Sequence, residues 1–161
     1  MLKRSFPPIV APNARILMLG SLPGDLSLRQ QEYYAHPQNR FWKILSQLAH
    51  RPEPNSYQQK IALLAAMDIA LWDVCHSALR PGSMDTAITE VEVNAIPALL
   101  ERYPGIKHVF FNGQKAEKLY RQYLPPLPHI SYHTLPSSSP ANAQFSLPKL
   151  ISIWAQLKSI S

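Results

Sequence analysis

Cysteine is nearly absent from this chain of 161 residues, which has only one, Cys75. A single thiol excludes an internal disulfide framework, an iron–sulfur cluster and a zinc site built from several thiolates. It also suits a reducing compartment, where disulfides are rare. We therefore expect a protein that uses no metal ion and no other cofactor.

Long apolar runs are missing as well. No stretch of apolar residues is long enough to span a bilayer, for which about 18 would be needed. The first ten residues, MLKRSFPPIV, carry positive charge but lack the apolar segment and cleavage-like site of a signal peptide. The sequence therefore predicts a soluble protein of the cell interior, in the cytoplasm, with no membrane partner.

Acidic residues are scarce relative to basic ones. The chain has 16 Lys and Arg against 10 Asp and Glu, which gives a net charge of +6. This excess favours a polyanionic partner, although a solvated basic surface would have the same composition. With 46% hydrophobic residues, a chain of this length can bury a full core, and we expect residues 1–161 to form one domain.

Short apolar segments alternate with helical patterns along the chain. Strands are predicted at residues 15–19, 69–74, 107–111 and 130–133. Helices are predicted from residue 41 onward, at 57–67, 93–103 and 114–123, and after a capping Ser146 near the C-terminus. Residues 75–88 are predicted to form a surface loop. The alternation indicates a layered α/β domain around a parallel sheet.

Ligand sites of open α/β sheets lie beyond the carboxyl ends of the strands. Four short segments follow the predicted strands there, at residues 20–24, 73–76, 112–113 and 135–142. They offer amides, hydroxyls and backbone N–H groups, with Asp73 as the only carboxylate and no lysine. These groups give little support to a reaction that needs paired carboxylates or a strong nucleophile.

Four motifs along the chain carry a family resemblance. GSLPG, YAHPQNRFWK, FFNG and LPSSSPAN, spread over residues 15–142, resemble the uracil-DNA glycosylase superfamily. The combination is most similar to its hypoxanthine-DNA (deoxyinosine) glycosylase branch, which is related to the mismatch-specific uracil (G:T/U) glycosylases. The resemblance implies a three-layer sandwich with a central, mostly parallel four-stranded sheet flanked by helices.

The resemblance also implies a function. It indicates a monofunctional DNA repair enzyme that hydrolyses the N-glycosidic bond of a deaminated base, hypoxanthine first, after the base has flipped out of DNA. A uracil (G:U/T mismatch) DNA glycosylase is one alternative, and a catalytically silent protein that binds damaged DNA is another. The expected partner is DNA, bound by a monomer consisting of a single glycosylase domain.

Site residues follow from the matching positions. Asn39 is the expected catalytic residue, which positions the hydrolytic water, and it can also cap the helix that begins at Arg40. Tyr34 is expected to stack on the base, unless it is a core aromatic, and Asn112 to read the base edge, although Asn before Gly also forms turns. The remaining base-binding positions form the first polar loop: Ser21, Leu22, Pro23 and Gly24.

The expected DNA contacts lie mainly in the second polar loop, which without the family match is an ordinary polar loop. They are Ser137, Ser138, Ser139, Pro140, Ala141 and Asn142, together with Arg40. Two positions depart from the superfamily pattern: Leu22 stands where most relatives keep Asp or Asn, and Leu135 stands where many keep His. We expect Asn39 to take over the chemistry lost at Leu22.

Overall fold

The computed structural model describes residues 2–160 and contains seven strands and six α-helices in that range. The strands are β1 (Leu2–Arg4), β2 (Ile16–Gly20), β3 (Ile69–Asp73), β4 (Cys75–Leu79), β5 (Thr89–Val93), β6 (His108–Asn112) and β7 (Ser131–Leu135). The helices are α1 (Asp25–Gln30), α2 (Phe41–Leu48), α3 (Tyr57–Ala66), α4 (Ile96–Arg102), α5 (Gln114–Tyr123) and α6 (Leu147–Trp154).

The central sheet has four parallel strands in the order β3-β2-β6-β7. Strand β2 is fully buried, and its side chains alternate between the two faces of the sheet. Ile16 and Met18 belong to a core that includes residues of α2, α3 and α6, whereas Leu17 and Leu19 belong to a core that includes residues of α4 and α5. Helices therefore cover both faces, and the predicted three-layer α/β fold is confirmed.

Local sequence signals placed most helices correctly. Helix α5 has the predicted bounds, and α6 begins after Ser146, whose Oγ accepts a hydrogen bond from the Lys149 N–H at 3.3 Å. Helix α1 was not predicted, because six residues after Pro and Gly carry too little periodicity. No helix within residues 2–160 is long and apolar enough to cross a membrane.

A second sheet corrects the prediction for residues 75–88. This stretch was expected to be a surface loop, but it contributes β4, the middle strand of an antiparallel sheet β1-β4-β5. Strand β5 and the segment after it also replace the start of the helix predicted at 93–103, which begins only at Ile96. The register between β4 and β5 is irregular, so buried and exposed side chains alternate poorly along β4. The other partner of β4, strand β1, lies more than 70 positions away in the sequence. Local periodicity does not reveal such a strand.

Candidate active site

A cleft of about 590 Å³ opens at the carboxyl ends of the parallel strands. Both polar loops line it, together with Tyr34 and Asn39 from the segment between β2 and α2 and Asn112 from the end of β6. The structure thus brings together every predicted site residue except Arg40, which lies behind the second loop. Convergence of segments that are far apart in sequence is the arrangement expected of a binding site in an open α/β sheet.

Gly20 forms the floor of this cleft. A Cβ atom at this position would lie 2.6 Å from Asp73 Oδ1 and 2.7 Å from Tyr34 Oη, so a side chain has no room there. Tyr34 adopts a left-handed backbone conformation, with φ of 52°, and its ring stacks on Phe41 at a centroid distance of 4.2 Å. One face of the Tyr34 ring is therefore fixed against Phe41 at the edge of the cleft.

Asp73 brings a carboxyl group to the floor. Its side chain is 3% exposed and lines the cleft, and the Asn94 side chain holds its backbone by donating to the Asp73 carbonyl at 2.8 Å. Burial raises the pKa of the neighbouring Tyr33 hydroxyl, and the charge of Asp73 adds to this effect. Sequence reasoning noticed this carboxylate but gave it no role, because nothing local linked it to Gly20 and Tyr34.

The first polar loop, residues 20–24, is held from behind by Arg80. This arginine is fully buried, and its guanidinium donates to the carbonyls of Leu22, Pro23 and Gly82. Sequence reasoning missed Arg80 because its segment had been predicted as a surface loop. The available signal was the apolar pair Ala78 and Leu79 just before it, which indicates a buried segment. A buried arginine needs several acceptors, which the loop carbonyls supply.

Leu22 faces the core rather than the cleft interior. Its side chain is 6% exposed and belongs to the same core as Val74 and Ala78. What the loop offers to a ligand is its backbone, because the N–H groups of Leu22 and Gly24 donate to no group among the described residues. Two unused N–H groups at a cleft can stabilise an anion.

A second contact fixes the end of this loop, where α1 begins. The buried Lys3 of β1 forms an ion pair with Asp25 and also donates to the Gly82 carbonyl. The hydrogen bond from Lys3 lowers the pKa of the Asp25 carboxyl below its ordinary value. The Asp25 N–H donates to Ser83 Oγ at 3.0 Å. The antiparallel sheet therefore supports the first loop through Lys3 as well as Arg80.

The second polar loop is connected to both asparagines through Ser138. The Ser138 N–H donates to Asn112 Oδ1, Asn112 Nδ2 donates to Ser138 Oγ, and Ser138 Oγ donates to Asn39 Oδ1, each at 2.9 Å. Ser138 is fully buried, so it does not reach a DNA phosphate, contrary to the sequence-based expectation. Its hydroxyl is instead a link between the two predicted functional amides.

Asn39 stabilises the start of α2. Its Oδ1 atom accepts from the Phe41 N–H at 2.9 Å, although the N-cap residue is Arg40, whose side chain makes no capping bond. The helix thus begins one residue later than expected, and Asn39 precedes the N-cap. With Ser138 as the second donor, both lone pairs of this oxygen are used. The Nδ2 group of Asn39 has no partner among the described residues and is the group that Asn39 presents to the cleft.

Arg40 holds the second loop by its backbone. Its half-buried guanidinium donates to the carbonyl of Ser139 at 2.7 Å, to those of Asn142 at 3.1 Å and Ser138 at 3.4 Å, and to that of Phe145. These bonds occupy most of its five donors. The placement favours a structural role over the phosphate contact expected from the sequence.

The exposed part of the second loop is its tip. Pro140 and Ala141 are exposed, whereas Asn142 is half-buried and its Nδ2 donates to the Ser137 carbonyl at 3.1 Å. Ser137 Oγ accepts from the Ser139 N–H at 3.1 Å. Leu135 at the start of the segment is 1% exposed and packs in the core. The chain therefore places a leucine inside the core at both positions that depart from the superfamily pattern.

The fold, the cleft and the two linked asparagines are features of one class of protein. Comparison of the sequence with known families identifies this class. Residues 7–158 match the profile of the Uracil DNA glycosylase superfamily, and the chain belongs to this superfamily. It is 40% identical over 159 residues to a hypoxanthine DNA glycosylase of Methanosarcina barkeri, with 97% of this chain and 98% of the relative covered.

Two further relatives come from Methanosarcina acetivorans. A hypoxanthine DNA glycosylase of this organism is 40% identical over 149 residues, which cover 91% of this chain and 92% of the relative. A solution NMR structure described provisionally as a uracil DNA glycosylase superposes with a TM-score of 0.80 at 36% identity. That match covers 98% of this chain and 99% of the other.

Proposed function

We propose that this protein is a DNA glycosylase that removes hypoxanthine from deoxyinosine and leaves an abasic site. The observation that carries this function is the pair of asparagine amides joined through Ser138 at one cleft, in a chain 40% identical to curated hypoxanthine DNA glycosylases. The target nucleotide enters the cleft from DNA by flipping out of the helix.

Recognition of the base uses Tyr34 and Asn112. The Tyr34 ring, which lines the cleft, stacks on the base, and its packing on Phe41 holds the ring in place. Asn112 retains one Nδ2 proton and one Oδ1 lone pair after its two bonds with Ser138. These match O6 and N1–H of hypoxanthine, which are an acceptor and a donor side by side.

The reaction breaks the bond between sugar and base, so positive charge develops on the sugar and negative charge on the leaving base. Asn39 holds the attacking water by donating from Nδ2 to the water oxygen, which keeps a lone pair to form the new bond to the sugar carbon as the bond to the base breaks. The water loses a proton to solvent, and the departing base takes one up from solvent. The unused N–H groups of Leu22 and Gly24 stabilise the departing base, because preorganised donors act strongly in a cleft that excludes water.

Contacts with DNA surround the cleft. The exposed Pro140 and Ala141 fill the space that the flipped base leaves, and Ser137, Ser139 and Asn142 lie beside them on the DNA side. Lys115 lines the cleft and neutralises a phosphate, in keeping with the net charge of +6. The protein acts as a monomer and a single domain, inside the cell where its DNA substrate is.

Uracil is the second candidate base. Its lactam edge also places an acceptor beside an N–H donor, so it fits the same pattern on Asn112. The two bases differ in size, and the substrate panel described next separates them.

The test uses purified protein and labelled duplexes that carry inosine, uracil, xanthine or ethenocytosine, in a buffer containing a chelator. We expect abasic product from the inosine duplex at the highest rate, with no requirement for a metal ion. Borohydride should trap no covalent adduct, because a monofunctional enzyme forms no Schiff base with the sugar. Binding of the inosine duplex without product from any substrate would favour the damage-binding alternative, and product from uracil alone would favour the second candidate.

Asn39→Ala separates chemistry from binding. We expect it to lower the single-turnover rate by at least about 100-fold, as loss of a catalytic hydrogen-bonding group does, with the Kd for inosine DNA within about threefold of wild type. Asn112→Ala should instead change the ratio of inosine to uracil cleavage. An unchanged rate in the first variant, or an unchanged ratio in the second, would contradict the role assigned to that residue.

A further inference from the structure

The hydrogen bonds around Ser138 have a direction that the backbone fixes. A backbone N–H can only donate, so the Ser138 N–H requires an oxygen on Asn112 and the Phe41 N–H requires an oxygen on Asn39. Both amide orientations are thereby determined. Asn112 then meets Ser138 Oγ with its NH₂ group, and Asn39 meets Ser138 Oγ with its oxygen.

The single hydroxyl proton of Ser138 therefore has one destination. Because Oγ accepts from Asn112 Nδ2, its proton must point to Asn39 Oδ1, at a distance of 2.9 Å. We propose that Ser138 is a positioning residue that transmits the state of the base-reading amide, Asn112, to the water-holding amide, Asn39. This inference rests on the proposed function for the roles of the two asparagines.

Burial gives the link its strength. Ser138 is fully buried and Asn112 is 9% exposed, so water does not replace a lost bond there. With both lone pairs of Asn39 Oδ1 engaged, rotation of this amide would break two hydrogen bonds. Without the Ser138 hydroxyl, only the Phe41 N–H holds the oxygen, so the Nδ2 group is held less firmly in the cleft.

Ser138→Ala tests the effect on catalysis. We expect the single-turnover rate on inosine DNA to fall roughly 10- to 100-fold, which corresponds to leaving a buried amide unsatisfied. The Kd for the same DNA should stay within about twofold of wild type, because a fully buried hydroxyl does not touch DNA. A rate within twofold of wild type, or an equal loss in binding, would overturn the proposal.

Ser46→Ala is the matched control. Ser46 is 2% exposed, and its hydroxyl donates to the Lys43 carbonyl at 3.0 Å within α2, away from the cleft lining. It therefore also loses one buried hydroxyl and one hydrogen bond. We expect its rate to match that of wild type, whereas a drop equal to that of Ser138→Ala would mean that general loss of packing explains both.

The NMR resonances of the side-chain amides test the link without any cleavage. In the free protein, Ser138→Ala should shift the amide NH₂ signals of both Asn39 and Asn112, and Ser46→Ala should shift neither. A shift confined to Asn112 would overturn the proposal. If the wild type proved to cleave no duplex, the proposed function would fail, while these spectra would still decide whether the two amides are linked.

Asn112→Asp provides a second variant that leaves Ser138 intact. Once ionised, the new carboxyl has no proton to donate and takes the single proton of Ser138 Oγ, so the hydroxyl can no longer donate to Asn39. Because burial raises the pKa of such a carboxyl, the spectra are recorded up to alkaline pH, where it is ionised. We expect the Asn39 amide signal to move as it does in Ser138→Ala, although Asn39 and Ser138 are unaltered. An Asn39 signal that stays at its wild-type position would refute transmission through Ser138.

Discussion

Each of the two polar loops of the cleft is held by an arginine that donates to backbone carbonyls, but the two arginines come from different places. Arg40 holds the second loop and directly follows Asn39 in the chain. Arg80 holds the first loop and comes from the segment after β4, in the antiparallel sheet. Both guanidinium groups donate to carbonyls of their loop and so fix its backbone.

The difference lies in what moves with each loop. The second loop contains Ser138, and Arg40 and Ser138 both connect it to the segment of Asn39, so a shift of this loop displaces the Asn39 amide, for which we propose the water-holding role. The first loop offers N–H groups at Leu22 and Gly24 and is connected to the second sheet instead. We infer that the second loop sets the chemistry and that the first loop tunes the stabilisation of the leaving base.

Arg40→Met should have the largest effect. It removes donors from four carbonyls and loosens the loop that contains Ser138, so we expect the single-turnover rate to fall by more than about 100-fold. The free energy of unfolding should fall by about 2–4 kcal/mol. The exposed Arg51→Met serves as control, and an Arg40→Met variant that lost stability but kept its rate would break the comparison.

Arg80→Met should have the next largest effect on activity. The buried guanidinium no longer supports the first loop, and we expect the free energy of unfolding to fall by about 2–4 kcal/mol. The single-turnover rate should fall only about tenfold, because the linked asparagines stay in place. Chemical denaturation and single-turnover cleavage measure the two effects, and a rate loss as large as that of Arg40→Met would show that the loops contribute equally.

Leu22→Asn introduces a residue type that the superfamily resemblance implies at this place. Because Leu22 packs in the core at 6% exposure, we expect the change to destabilise the fold by about 2–4 kcal/mol and to add no uracil cleavage. The cleavage rate on inosine DNA should fall less than in Arg80→Met, since the backbone N–H of residue 22 remains. A gain in uracil cleavage would show that the side chain, and not the backbone, is what this position offers.

Asp25→Asn should have the smallest effect, and it depends on pH. Lys3 lowers the pKa of the Asp25 carboxyl, so the ion pair contributes stability that is present above the ordinary value of 3.8 and is lost as the pH falls through the lowered value. We expect the variant to be less stable than wild type at neutral pH by less than about 1 kcal/mol, since Asp25 is 44% exposed. Unfolding curves recorded down to acidic pH should converge, and a gap that persists would assign the effect to packing.

The sequence alone placed the parallel sheet and most of its helices. Strand β2 is apolar throughout and ends in Gly20, and α5 has a clear amphipathic pattern between Gly113 and Tyr123. These signals reside in neighbouring residues, at the spacing of two for strands or of three and four for helices. The same logic brought the polar segments to one edge of the sheet, because parallel strands end on the same side.

Tertiary structure decided how the site is held. Arg80 and Leu22 are 58 positions apart, and Arg40 and Ser139 are 99 apart, so no local pattern predicts that they meet. The same holds for Ser138, which the sequence marked as a surface hydroxyl and the fold buried between two asparagines. Sequence therefore determined which chemical groups reach the cleft, whereas burial and long-range pairing determined which atom of each group faces it.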